Sequence, residues 1–162
     1  MKIIELQERN NLFEEALQVF WKQWGNEHNY TFYEDAMVHS CTTKSAIPRF
    51  YVAVKEGNII GTYALIRNDL NSRQDLCPWL ACLYVEEQHR GNQFGYKLLE
   101  HALEETAKKG YKNLYLSTDL EGYYEKYGWI NSGIVYGVSG EHIKLYEKET
   151  GQRSKKAPLP SR

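Results

Sequence analysis

Between Trp79 and Gly95 the chain reads WLACLYVEEQHRGNQFG, an apolar run that breaks into a polar, glycine-bearing stretch and resumes as a helical pattern. Trp79–Val85 is rich in large and β-branched side chains and has the length of a buried strand. From Phe94 onward Leu98, Leu99, Ala102, Leu103 and Ala107 recur at helical spacing, with Glu100, Glu104 and Lys108 opposite. Gly110 is the expected stop. A helix start leaves N–H groups unpaired and carries the positive end of a dipole, so it attracts anions. A glycine beside it lets the backbone come close to such an anion. The stretch is a candidate phosphate cradle, although many α/β proteins that bind no nucleotide share this pattern. Neither G-x-G-x-x-G after a strand nor G-x-x-x-x-G-K-[ST] occurs in the chain.

The 162 residues are expected to form one domain over 1–150, large enough to bury a core without disulfides or metals. The segment 151–162 is polar and basic and is expected to be disordered. A net charge of −1 argues against a dedicated nucleic-acid binder. Arg153, Lys155, Lys156 and Arg162 all lie in the tail, so the remaining residues carry −5. An acidic body suits a cationic substrate, and it equally serves solubility. Cys41, Cys77 and Cys82 are odd in number and form no C-x-x-C pair, which fits a reducing cytoplasm. The five histidines show no metal-ligand spacing, and no apolar run reaches membrane-spanning length. The expectations are a cytoplasmic location, no metal, no membrane and no nucleic-acid partner.

Residues 2–7 read as a first strand. Asn11 with Glu14 predicts the cap of a helix over 12–24, which Gly25 ends; Thr31 with Glu34 predicts a capping box for a second helix to about Ser40. Phe50–Val54 and Ile59–Ile66 form a hairpin around Lys55-Glu56-Gly57-Asn58. Asn113–Ser117 is a short strand, so 79–117 makes a crossover unit with parallel strands. Asp119 and Gly128 bracket a short helix, and Ile130–Val138 with Glu141–Glu147 close the chain as a second hairpin.

Gln88, His89, Arg90, Gly91 and Asn92 resemble motif A of the GNAT superfamily of N-acetyltransferases, Q/R-x-x-G-x-G/A, with Gln93 standing where Gly or Ala is usual. Gly95 fits the extended form of that motif. The segment Tyr123-Tyr124-Glu125-Lys126-Tyr127-Gly128-Trp129 resembles the family's motif B, F-Y-E-K-x-G-F, and the hairpin from Phe50 resembles the family's early hairpin. The three matches fall in the family's order.

The resemblance implies an α+β fold: a mixed, mostly antiparallel twisted sheet of about six or seven strands flanked by about four helices. Its central parallel strands splay apart to hold acetyl-CoA. Carried over by position, the main chain of Leu83, Tyr84 and Val85 would meet the pantetheine. Gln88, Arg90, Gly91, Asn92, Gln93, Phe94, Gly95 and Tyr96 would meet the diphosphate. Tyr124 stands where the family's general acid stands, ready to protonate the departing CoA thiolate. Ser117 stands where motif B often has Asn. The strand ahead of motif A offers no base, since Trp79 and Ala81 cannot accept a proton. Asp75, Glu86, His28 and Asp119 stay open for that role. The implied activity is acetyl transfer to a primary amine, on a small molecule or on a peptide or protein, by direct attack in a ternary complex. A degenerate acyl-CoA sensor is the alternative. Loops 25–31, 67–78 and 131–142 are expected to choose the acceptor, and a homodimer is compatible with the sequence.

Overall fold

A computed structural model describes residues 1–151; the segment 151–162, expected to be disordered, lies outside them from 152 onward. The elements are β1 (Lys2–Glu5), α1 (Phe13–Trp24), α2 (Tyr30–Thr42), β2 (Arg49–Lys55), β3 (Asn58–Ile66), β4 (Trp79–Val85), α3 (Phe94–Lys108), β5 (Asn113–Thr118), β6 (Ile130–Tyr136) and β7 (His142–Glu149). The seven strands form one mixed sheet in the order β1-β2-β3-β4-β5-β7-β6. The β4–β5 pair is parallel, with Trp79 opposite Tyr115, as the strand–helix–strand pattern requires. The pairs β1–β2, β2–β3, β5–β7 and β6–β7 are antiparallel. The expected α+β architecture is present.

Three α-helices are described rather than four. The segment expected to form the fourth makes one 3-10 turn, Glu125–Tyr127. Left-handed Gly122 (φ 82°) and Gly128 (φ 87°) bracket it and leave too few residues to repay helix nucleation. Asp119 does not cap it; its carbonyl accepts from Lys144 Nζ, while Thr118 Oγ1 takes the Leu120 N–H.

The predicted caps differ too. Helix α1 starts at Phe13 after a 3-10 turn over Asn10–Leu12, with no side-chain cap, and α2 starts at Tyr30 behind Asn29. The Asn29 carboxamide oxygen turns back to the Asn26 N–H at 2.7 Å, so the link between the helices is tied within itself. Gly25 is not left-handed (φ −90°). Glycine is needed there for space, because a Cβ would sit 2.7 Å from the Trp21 carbonyl and 2.8 Å from Asn29 Oδ1.

Close contacts group the chain into two units. The first comprises Met1–Leu65 and Cys82–Leu99. Its core holds Leu6, Leu17, Phe20, Met37, Ile47, Ile60 and Leu98, all at most 1% exposed. Phe20 meets Phe50 edge-on at 5.2 Å, and Tyr51 stacks on Tyr63 at 4.3 Å. The hairpin joining β2 to β3 turns at Glu56 and Gly57, both left-handed, which matches the twist of a two-residue turn.

The second unit comprises Ile66–Ala81 and the chain from Glu100 onward. Trp79, Val135 and Leu145 are its buried cluster, flanked by Ile66, Leu76, Tyr115 and Ile143. Loop 67–78 is a polar knot. The Asn68 carboxamide oxygen accepts from the Asn71 N–H and from Gln74 Nε2, and Asn71 Oδ1 accepts from the Arg73 N–H. The knot is fastened to the last hairpin. Ser72 N–H donates to the Tyr136 carbonyl at 2.8 Å, Tyr136 N–H donates to Ser72 Oγ at 3.0 Å, and Asn71 bridges Gly137. Strand β6 lies at the sheet edge and buries only Val135. A register shift between Asn131 and Gly133 and the Ser72 bonds blunt that edge against further pairing.

Candidate active site

The motif A residues follow β4. Cys82, in the middle of the strand, has φ 57°, a left-handed residue where an extended one is the rule. Such a residue bends a strand in the manner of a bulge and costs a non-glycine about 1–2 kcal/mol. Neighbours hold it there: Thr62 Oγ1 donates to the Cys82 carbonyl at 2.9 Å, and the Glu86 N–H donates to the Ile60 carbonyl at 2.7 Å. Strand β3 comes in so close that a Cβ on Gly61 would lie 2.8 Å from the Tyr84 carbonyl oxygen. Leu83, Tyr84 and Val85 are therefore half-buried on a bent segment of strand. Nothing in the WLACLYV pattern signals the bend.

After a 3-10 turn over Glu87–His89 the backbone is extended at Arg90, left-handed at Gly91 (φ 85°) and left-handed again at Gln93 (φ 61°). Alternation with left-handed residues curls successive N–H groups toward one side, the geometry of an anion nest. Gly91 serves conformation and not space, since a Cβ there would meet nothing within 4 Å. Gln93 keeps the backbone shape a glycine favours, and its carbonyl starts the helix by accepting the Lys97 N–H. The amides of Phe94, Gly95 and Tyr96 open α3 and have no carbonyl one turn behind them within the helix.

The side chains of this loop are partly engaged. Arg90 Nε donates to the Val85 carbonyl at 2.8 Å and lies 5.9 Å from the Tyr84 ring centre. Gln88 Nε2 donates to Glu86 Oε1, and Asn92 Nδ2 donates to the His89 carbonyl. Lys55 and Lys97 hold ammonium groups 5.5 and 5.6 Å from the Phe94 ring. Arg90, Lys55 and Lys97 set positive charge beside the loop, among the carboxylates of Glu86 and Glu87. A groove of about 480 Å³ borders it, lined by Glu15, Val19, Lys55, Glu86, Gln88 and His89 among others.

The second unit carries the motif B residues. Tyr124 is 8% exposed, packed among Tyr123 (5.0 Å), Tyr146 (5.8 Å) and Trp129 (6.0 Å). Burial, and secondarily Tyr123, pushes its phenol up to about 12, so it is a proton donor at neutral pH. Its carbonyl accepts from Tyr127 and Trp129 N–H, whereas its hydroxyl finds no partner among the described residues. Trp129 Nε1 beside it is buried and unpaired. Unsatisfied polar groups are uncommon in protein interiors, and the Trp129 indole N–H is one of the few among the described residues. Next in the chain, Glu125 accepts the Tyr146 hydroxyl at 2.6 Å. That bond pulls the Glu125 carboxyl down and pushes the Tyr146 phenol up to about 12. Tyr123 and Tyr127 pack edge-on at 5.4 Å with Lys126 above both.

Among the residues left open as base, Asp75 is held low by two bonds from Arg73, at 2.9 and 2.8 Å. Glu86 is tied to Gln88, and His28 sits exposed beside Glu27. A further carboxylate with a displaced titration, in loop 67–78, is Asp69. It is half-buried without a bonding partner among the described residues, and burial pushes it up to about 6. The N-D-L-N context of the loop carries no signal for it. Trp129 and Tyr146 were equally invisible as companions of Tyr124, though Trp129 closes the motif B block.

Residues 46–131 match the family model described as "Acetyltransferase (GNAT) domain", more than half of the chain. The chain belongs to the GNAT acetyltransferases. Members of this family draw on acetyl-CoA as donor. No curated protein matches the sequence. Among solved structures, an aminoglycoside 6'-N-acetyltransferase complexed with coenzyme A is 20% identical, with a TM-score of 0.66 over 99% of this chain and 100% of that one. Ribosomal-protein-alanine N-acetyltransferase from Brucella melitensis is 14% identical, TM-score 0.70, over 92% and 99%. A spermidine N-acetyltransferase chimera from Vibrio cholerae and hSSAT is 17% identical, TM-score 0.65, over 94% and 98%. At these identities the likeness is one of fold, and the three acceptors named differ in kind. Among the described residues no helix is long and apolar enough to cross a membrane.

Proposed function

We propose that this GNAT protein transfers acetyl from acetyl-CoA to a primary amine by direct attack in a ternary complex. The amine nitrogen attacks the thioester carbon, the C–S bond breaks, and the thiolate takes a proton from the Tyr124 hydroxyl. The attacking nitrogen gives up its own proton to solvent or a nearby carboxylate. The main chain of Leu83, Tyr84 and Val85 pairs with the pantetheine. Amides of Gln88 and of 90–96, with Arg90, grip the diphosphate. The acceptor is a small cationic amine or a peptide amino group, of which the acidic body favours the former.

The carrying observation is Tyr124: a buried phenol, held protonated, whose hydroxyl has no partner among the described residues. A general acid of this kind contributes about 10²–10⁴ in rate. Thiol release from acetyl-CoA, followed over a panel of amines, tests the reading. Tyr124→Phe is expected to lower kcat at least tenfold while calorimetry shows unchanged CoA affinity. Full turnover in that variant would remove the acid assignment. The buried Trp79 and Ala81, where a strand base could stand, favour the acyl-CoA sensor as a second reading. CoA binding with no thiol release on any amine would select it.

A further inference from the structure

Resting on the assignment of Tyr124 as the acid, we infer that the Glu125–Tyr146 pair positions Tyr124 for proton transfer. The need for such a device follows from the local chain. Tyr124 leads a three-residue 3-10 turn bounded by left-handed Gly122 and Gly128. The turn closes with two bonds of its own, Tyr127 N–H to the Tyr124 carbonyl and Gly128 N–H to the Glu125 carbonyl, both 3.0 Å. An isolated turn of this length has little stability and does not hold a side chain to within a fraction of an ångström.

Tyr146 supplies the missing constraint. It stands on β7, opposite Leu116 of β5 on one side and Asn131 of β6 on the other, so its place is set by two neighbouring strands. It is 1% exposed. From that fixed point its hydroxyl reaches Glu125 Oε2 at 2.6 Å, and its ring flanks the Tyr124 ring at 5.8 Å and 41°. A phenol donating to a carboxylate makes a charge-assisted bond, roughly twice as strong as a neutral one. A second tie from the same strand, Lys148 Nζ to the Tyr127 carbonyl at 2.6 Å, pins the far end of the turn. The bland alternative is that Glu125 merely satisfies a buried phenol, as some partner usually does. The alternatives part at catalysis: a displacement of about 1 Å in a reacting group costs up to about a hundredfold in rate.

The experiment uses the full chain and steady-state thiol release, with active sites counted by CoA titration. Tyr146→Phe keeps the ring and removes the bond. It is expected to lower kcat about tenfold with the KM for acetyl-CoA within about twofold. Glu125→Ala should match it. Glu125→Gln, which keeps an acceptor oxygen, should stay within about threefold of the parent. The double variant Tyr146→Phe/Glu125→Ala should be no slower than either single, because each single already breaks the same bond. Unchanged kcat in both singles, losses that multiply in the double, or losses that vanish once active sites are counted would each overturn the inference. Tyr124→Phe is measured alongside. If it alone loses turnover, the positioning role falls and the acid assignment stands; if it keeps turnover, both fall.

Discussion

Gln93 tests whether the backbone of the cofactor loop, and not its side chains, carries the design. At φ 61° a residue with a Cβ pays about 1–2 kcal/mol relative to glycine. Gln93 is exposed, and its side chain has no bonding partner among the described residues, so little is lost by removing it. Replacement by glycine relieves the strain but gives the unfolded chain more freedom, which takes back about 0.4–1 kcal/mol. Gln93→Gly should therefore stabilise the protein by about 0.5–1 kcal/mol, whereas Gln93→Ala, which retains the Cβ, should change stability by less than about 0.5 kcal/mol. Urea unfolding at constant slope measures both. Calorimetric CoA affinity should stay within about threefold of the parent in each, since the proposed donors are main-chain amides. A glycine variant less stable than the alanine variant would refute the left-handed account. A large loss of CoA affinity in both would show that the glutamine amide itself holds the anion.

Gly61→Ala should destabilise by about 1–3 kcal/mol in the same assay, because its methyl would be forced to 2.8 Å from the Tyr84 carbonyl on a buried strand; an unchanged midpoint would mean β3 and β4 are looser than described. For Asp69 the folded state binds the proton more tightly than the unfolded chain, so rising pH removes stability between 3.8 and about 6. The penalty is complete above that range and absent below it. Asp69→Asn should accordingly stabilise by about 1–2 kcal/mol at pH 7 after allowance for solvent screening, and by nothing at pH 3.5; a gain independent of pH would point to packing instead.

Features set by local pattern were legible from residues alone. WLACLYV reads as a strand because large apolar groups crowd it, and Lys55-Glu56-Gly57-Asn58 reads as a turn because glycine and asparagine tolerate positive φ. The crossover from β4 to β5 followed from the helical period between them. Features set by tertiary environment were not. Cys82 and Gln93 adopt left-handed conformations that neither residue prefers, imposed by Thr62 and by the start of α3. Asn11 and Thr31 have capping chemistry, yet the helices begin elsewhere because a 3-10 turn and the Asn26–Asn29 tie fix where each chain segment enters. Motif B pointed to Tyr124, but its burial and its neighbour Tyr146, 22 positions further along the chain, are properties of the folded sheet. Asp69 acquires its character wholly from being half-enclosed, which no dipeptide reports.

The reciprocal bonds between Ser72 and Tyr136, with the Asn71–Gly137 bridge, bear on any attempt to redirect acceptor choice. Two of the three segments expected to select the acceptor are mechanically one part. Importing a foreign 67–78 segment by itself would strand the Tyr136 main chain at a sheet border, and importing a foreign 131–142 would leave Ser72 and Asn71 without their partners on the hairpin. Transplants should carry the pair together, and error-prone libraries confined to either one will mostly report damage to their shared seam.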